Sequence, residues 1–384
     1  MKEIKGFKNS YILTEEGIKK TNLIIKDGTI FSIGDKTIDG MIELDEDKIV
    51  VPGFIDQHIH GTLGVDIIDG NVENISIMAH TLPQEGITAF LPTTTTQSVE
   101  VIDKALNSVK KYIDKNDETG SIVLGVHLEG PFISKNYAGA QNENYILKPS
   151  IQTFKHFEDV SENTIKIVSI AVEEIEDELI EYLKSKNIII SIGHSSSNYE
   201  DIKKAVNQGV TCVTHIYNAM KPIHHREIGT VGSTMLFDEL YSELICDGIH
   251  VCKEAVKLLF KNKPKDKLIL ISDALRTKYM PDGKYQELDQ TIILKNKNVR
   301  LEDGTLAGSV LSINEAVYNF MKFTDADFVS AIKCVTENPS KNLGIFDKMG
   351  SIKENKLANF VVVDQNLNVY QTIRKGKVIY EKEK

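Results

Sequence analysis

Cysteine is scarce, with four in 384 residues (Cys212, Cys246, Cys252 and Cys334), no CxxC pair and no even framework of close spacings. A disulfide scaffold is therefore not expected. Three of the four sit in apolar or helical stretches, where a reduced, buried small hydrophobe is the plain reading. Long apolar runs are also missing. Ile188 to Ile192 is among the longest, far short of the roughly 20 residues that a membrane span needs. The opening Met1-Lys2-Glu3-Ile4-Lys5 is polar and mixed in charge, without an apolar signal stretch, so a cytoplasmic location is expected. Positive charge is in deficit. A formal net charge of -10 argues against a nucleic-acid or membrane surface. It follows that an anionic substrate would have to be held by local, identifiable cations.

What is present is ordinary soluble-protein material. Hydrophobic residues make up 41% and charged residues 26%, enough to bury a core without staples. The length suits one large domain and a smaller one. The first segment alternates short β-rich runs with turns: Tyr11 to Leu13, Asn22 to Ile25, Asp27-Gly28, then Thr29 to Ile33. Extended runs flanking Asp-Gly predict a hairpin. The other end repeats this character, with Asn359 to Val363, Val369 to Ile373 and Val378 to Tyr380. Both termini together predict a small β-sandwich domain, residues 1–52 plus 346–384.

Between them, residues 53–345 alternate apolar strand-length runs with amphipathic helical stretches such as Asp177 to Lys186 and Tyr199 to Gln208. Eight strands are predicted: Val50 to His60, Thr88 to Pro92, Ile122 to Glu129, Ile165 to Ala171, Ile188 to His194, Val210 to His215, Leu240 to Asp247, and Leu268 to Asp273. Strands without polar alternation, each followed by a helix, predict an α/β fold, a (β/α)8 TIM barrel. Tyr285 to Leu306 reads as a β-hairpin inserted before the last helices. No short-period repeat or low-complexity segment is visible.

Six of the eight strands end on a group able to bind metal or move protons. These are His58 and His60, His127 and Glu129, His194, His215, Asp247, and Asp273. In a barrel the C-terminal strand ends converge on one mouth, so residues more than 200 positions apart would meet. His58 and His60, two apart on a strand, point to one face, the spacing that lets one cation capture two imidazoles. Each group alone could be a satisfied core side chain. Jointly that account fails, because His58, His60, His194 and His215, four of only ten histidines, fall at strand ends beside Glu129 and Asp273. His127 is read as a structural hydrogen-bonder near the site. The chemistry permitted is metal-assisted hydrolysis. One carboxylate must then move a proton from water to the leaving amine, and Asp273 is the candidate, with a helix N-cap as its structural alternative.

The run Val51-Pro52-Gly53-Phe54-Ile55-Asp56-Gln57-His58-Ile59-His60-Gly61 resembles the first-strand motif of the amidohydrolase superfamily. Further blocks resemble one branch of it, the N-acetylglucosamine-6-phosphate deacetylases. They are His127-Leu128-Glu129-Gly130-Pro131-Phe132, Gly193-His194-Ser195, Thr214 to Met220, Asp247 to His250, Ser272-Asp273-Ala274 and Asp303 to Ser309. They occur in the family's order. A lone HxH would be weak, whereas this set is specific.

The resemblance implies hydrolysis of the acetamido group of N-acetyl-D-glucosamine 6-phosphate to D-glucosamine 6-phosphate and acetate, in amino-sugar catabolism and cell-wall sugar recycling. It implies a divalent metal (zinc or iron first, manganese or cobalt as alternatives) on Glu129, His194 and His215, and Asp273 as general acid/base. With His58 and His60 both present it implies room for a second metal, Glu129 bridging. Substrate contacts implied are Asn218 and Ala219 for phosphate, His250 for sugar hydroxyls, Ala140 and Gln141 in the loop after strand three, and Leu306, Ala307 and Gly308 around the acetyl group. Lys221 to Arg226 supplies the local cations, and Arg226 is implied to reach a partner's site in a homodimer. His224 and His225 read equally well as a solvated loop. One departure stands out: many family members carry a histidine where Gln141 lies, and an amide can donate to an oxyanion but cannot carry charge. Competing expectations are a deacetylase for another N-acetyl hexosamine phosphate, a cyclic-amide hydrolase, or an inactive scaffold barrel.

Overall fold

A computed structural model describes residues 2–383. Every predicted barrel strand has a counterpart. They are β1 (Phe54–Ile59), β2 (Ile87–Pro92), β3 (Val126–Glu129), β4 (Ile165–Ile170), β5 (Ile189–Ile192), β6 (Cys212–Val213), β7 (Tyr241–Ile245) and β8 (Leu268–Ile271). Strands β3 to β8 form one parallel six-stranded sheet in sequence order, and β1, β2 and the short strand Ile122–Val123 form a parallel three-stranded one. The fold is thus mixed α/β with helices between parallel strands. Backbone hydrogen bonds join the two sheets at both margins: Thr94 N–H donates to His127 O at 3.0 Å, and Asp273 N–H to His58 O at 2.9 Å. The strands are nearly all fully buried, which explains their unbroken apolar runs. The helices wear one apolar face. Residues Tyr199–Asn207, for example, bury Ile202 and Ala205 and start on an Asn198 cap with Asp201 closing a capping box.

Two predicted strands are each broken by glycine. Val50 to His60 divides at Gly53, so that Ile49–Pro52 joins the terminal sheet and β1 starts afresh. A side chain at Gly53 would meet Thr88 Oγ1 at 2.2 Å, so only glycine lets the chain cross there. Ile122 to Glu129 divides at Gly125, whose φ is 144°.

The terminal segments form strands Gly6–Thr14, Gly17–Lys26, Thr29–Gly34, Phe360–Val363, Val369–Arg374 and Lys377–Glu381. The Asp27-Gly28 hairpin is as predicted, both residues at positive φ. With Ile49–Pro52 these strands hydrogen-bond as one continuous seven-stranded sheet, where two facing sheets were expected. The parallel pairing of Gly6–Thr14 with Ile49–Pro52 supplies the join. The sheet wraps its own core of Phe7, Leu23, Ile30, Val50, Phe360 and Ile373.

Tyr285 to Leu306 becomes three antiparallel strands, Gly283–Glu287, Gln290–Lys295 and Asn298–Leu301. All four cysteines are free; Cys212, Cys246 and Cys334 are buried, while Cys252 is exposed. No helix among the described residues is long and apolar enough to cross a membrane.

Candidate active site

The strand ends place their functional groups by a shared backbone device. His194, His215 and Asp273 follow β5, β6 and β8 with φ of 47°, 29° and 49°, left-handed values that turn each side chain inward. Such conformations cost about 1–3 kcal/mol each and persist where surrounding structure fixes them. Here strand ladders and loop hydrogen bonds do so: Asp273 N–H is bound by His58 O, and Asp273 O accepts from Ser309 N–H at 2.8 Å.

Three imidazoles have one nitrogen fixed by an outer acceptor. His194 Nδ1 lies 2.9 Å from Tyr137 O, His60 Nδ1 3.0 Å from Thr93 O, and His58 Nδ1 3.0 Å from Glu243 Oε2. Each acceptor requires Nδ1–H, which leaves a bare lone pair on Nε2. Those lone pairs converge. His58 Nε2 and His60 Nε2 lie 3.3 Å apart, and His215 Nε2 is 3.2 Å from His194 Nε2 and 2.9 Å from Glu129 Oε1. Asp273 Oδ1 is 3.0 Å from His60 Nε2 and 3.4 Å from His58 Nε2. Acceptors facing acceptors at these distances need a cation between them. The groups fall into two sets suited to that, Glu129–His194–His215 and His58–His60–Asp273. Neutral imidazole with carboxylate is a donor set for a divalent transition metal.

The electrostatics agree. Burial by itself would lower His58, but the carboxylates of Glu129, Asp273 and Glu243 outweigh it and push it up to about 10. Burial would raise Asp273, and the surrounding imidazoles, His58 foremost, instead hold it at about 2. Glu129 is held well below the usual carboxylate range in the same way. Protons are attracted to these imidazoles because positive charge is needed there, and a dication meets the same need.

Above the cluster opens a cavity of about 310 Å³. His60, Glu129, Ala140, Gln141, His194, His215, Asn218, Ala219, His250, Asp273, Leu306, Ala307 and Gly308 all line it, whereas His58 lies beneath, fully buried. Gln141 Nε2–H donates to Glu129 Oε2 at 2.9 Å, its orientation set by Thr96 N–H donating to Gln141 Oε1 at 2.8 Å. His250 Nδ1 bonds Asp247 Oδ2 at 2.7 Å, leaving its other nitrogen free for a ligand. Arg226 lies apart on an exposed loop, Nη1 against His225 Nε2 at 2.7 Å, and no arginine or lysine lines the cavity among the described residues. His127 is a structural hydrogen-bonder. Its nitrogens meet Gln57 O and Ser169 Oγ, and burial pushes it down to about 4.

Sequence reasoning missed three contributors. Glu243 sits inside β7, and the signal was available: a lone acid in the apolar run Leu240 to Ile245. Thr96 and the hairpin turn at Leu288-Asp289 gave no signal, since their roles depend on loops meeting across the cavity.

The fold and site define a class, the metal-dependent hydrolases, and comparison agrees. The model of the amidohydrolase family matches residues 49–379, and the chain belongs to that family. Within it, the N-acetylglucosamine-6-phosphate deacetylase of Bacillus subtilis (strain 168) is 37% identical, covering 99% of this chain and 98% of that protein. The N-acetylgalactosamine-6-phosphate deacetylase of Escherichia coli O157:H7 is 32% identical over 96% of this chain and 97% of its own length. The crystal structure of N-acetylglucosamine-6-phosphate deacetylase from Thermotoga maritima superposes with a TM-score of 0.90 at 35% identity, covering 98% of this chain and all of that one.

Proposed function

We propose that this chain hydrolyses the acetamido group of N-acetyl-D-glucosamine 6-phosphate, giving D-glucosamine 6-phosphate and acetate, in amino-sugar catabolism. The observation that carries the reading is the convergence of four imidazoles with Glu129 and Asp273 at the floor of one cavity. Glu129, His194 and His215 would hold one divalent cation, zinc or iron first, and His58 and His60 would serve a second. A cation bound there would supply an acidified water and a Lewis acid for the acetyl carbonyl. Asp273, ionised and facing the cluster, takes the proton from the attacking water and returns it to the amine nitrogen as the C–N bond breaks. The Gln141 amide lies beside the same space, its Nε2 directed at Glu129 Oε2 and His194 Nε2, and would turn from them to donate to the developing oxyanion. Asn218, Ala219 and a partner's Arg226 receive the phosphate, His250 the sugar hydroxyls, and Leu306, Ala307 and Gly308 wall the acetyl group.

The same reading takes the two parallel sheets as one (β/α)8 barrel, supported by the hydrogen bonds at both margins, with residues 53–345 as catalytic domain and 1–52 plus 346–384 as its β companion. Four unpaired cysteines suit a cytoplasmic location.

A second reading is favoured by the galactosamine relative: the 4-epimer as substrate. Acetate release decides, measured on N-acetylglucosamine, its 6-phosphate and N-acetylgalactosamine 6-phosphate with metal content assayed in the same sample. Release confined to the glucosamine phosphate supports the proposal. Faster release from the epimer moves the substrate, and release from the unphosphorylated sugar alone sinks the phosphate site.

A further inference from the structure

We propose that Glu243 is a positioning residue that aims His58 at the second cation, so that occupancy of that position depends on a carboxylate in β7. This rests on the two-cation reading above. Glu243 is fully buried in the middle of β7 and spends both oxygens on β1: Oε2 is 3.0 Å from His58 Nδ1, and Oε1 accepts from Gln57 Nε2–H at 2.7 Å. Gln57 Oε1 in turn accepts from Asn342 Nδ2–H at 3.1 Å, which ties the relay to the helix Glu337–Asn342. All four side chains are buried.

The relay decides where His58 carries its proton. An imidazole free to choose could place that proton on Nε2, where His60 Nε2, Asp273 Oδ1 and Glu129 Oε1 lie 3.3, 3.4 and 3.5 Å away. A proton there occupies the lone pair the cation needs. The Glu243 acceptor holds it on Nδ1 instead, the outer-carboxylate arrangement that orients metal-binding histidines.

His127 also approaches Glu243 and His58, and the three form a cluster compact enough for an ion. That cluster is not a third cation site. Both His127 nitrogens are engaged, at 3.1 Å from Gln57 O and 2.7 Å from Ser169 Oγ, and His58 Nδ1 points at Glu243 itself.

The test is cobalt titration of chelator-stripped full-length protein, reading ions per chain, dissociation constants and the visible absorption of bound cobalt. Wild type is expected to hold two ions and His58→Asn one. Glu243→Leu should weaken the second ion about 10- to 100-fold and leave the first unchanged. Glu243→Asp keeps the charge and the polar packing but withdraws the acceptor, so it should weaken the second ion too, and it serves if the leucine variant does not fold. Glu243→Gln keeps an oxygen that can accept from Nδ1–H, because Gln57 and Asn342 can turn their amides to match, and should restore near-wild-type occupancy. Unchanged second-ion affinity in the leucine and aspartate variants overturns the proposal, as does equal loss of both ions. Wild type holding no more ions than His58→Asn overturns it together with the two-cation reading, a result distinguishable because it appears before any change at Glu243.

Discussion

Asp273 Oδ1 stands 3.0 Å from one imidazole and 3.4 Å from another, and its carboxyl is held at about 2 by burial opposed and exceeded by those imidazoles. It is therefore ionised at neutral pH and ready to accept a proton. Asp273→Asn is expected to keep the fold and bound metal while kcat falls by roughly 10²–10⁴-fold. Metal analysis alongside turnover checks this, and substantial residual activity would remove the proton-shuttle role. Elsewhere a single buried charge sets a pH dependence. Lys263 is nearly fully buried and donates to Thr234 O and Phe237 O, and burial pushes its ammonium down to about 8. Its folded pKa is below its unfolded one, so the folded state binds fewer protons between about 8 and 10.5 and stability rises with pH across that window. Lys263→Met should flatten the rise, worth on the order of 3 kcal/mol, in denaturant melts from pH 7 to 10.5. Parallel curves for the two proteins would refute the assignment.

At the scale of elements, the three-stranded insertion acts as a roof. Glu287, Leu288 and Gln290 line the cavity from its first turn. That turn is latched on the opposite side, Asp289 accepting from Gln97 Nε2–H at 3.0 Å and from Asn142 Nδ2–H. Asp289→Ala removes two hydrogen bonds, each worth about 1 kcal/mol, so the roof should open more often. A several-fold higher KM, little change in kcat and faster proteolysis between residues 283 and 295 are the expected results. Unaltered KM and cleavage would show that the latch has no part in holding substrate.

Across the whole molecule, charge poses the main problem. A chain of formal charge -10 places two buried carboxylates, Glu129 and Asp273, at one end of its parallel strands and a third, Glu243, inside β7. No lysine or arginine lines the cavity above them among the described residues. A phosphorylated substrate therefore needs its cation from outside this cavity, a need that the proposed second copy contributing Arg226 would meet. Arg226→Ala should raise KM for the phosphorylated sugar by roughly 10- to 100-fold, the loss of one charged hydrogen-bonded pair of about 1.5–3 kcal/mol. The unphosphorylated sugar should be unaffected. Equal losses on both substrates would take Arg226 out of the phosphate site.

By itself the sequence determined the eight strands and the terminal β segments, because burial on both faces writes itself as apolar runs and turns as Asp-Gly. It also determined which acids and histidines stand at strand ends. Only the tertiary structure decided how these groups act. Where protons sit on His58, His60 and His194 depends on acceptors supplied from Glu243, Thr93 and Tyr137, residues 185, 33 and 57 positions away. The orientation of Gln141 depends on Thr96 across a loop. The joining of both termini into one sheet depends on Ile49–Pro52 pairing between them. Each is a long-range pairing of polar groups, and periodicity records which face of an element is buried, not which distant partner meets it there.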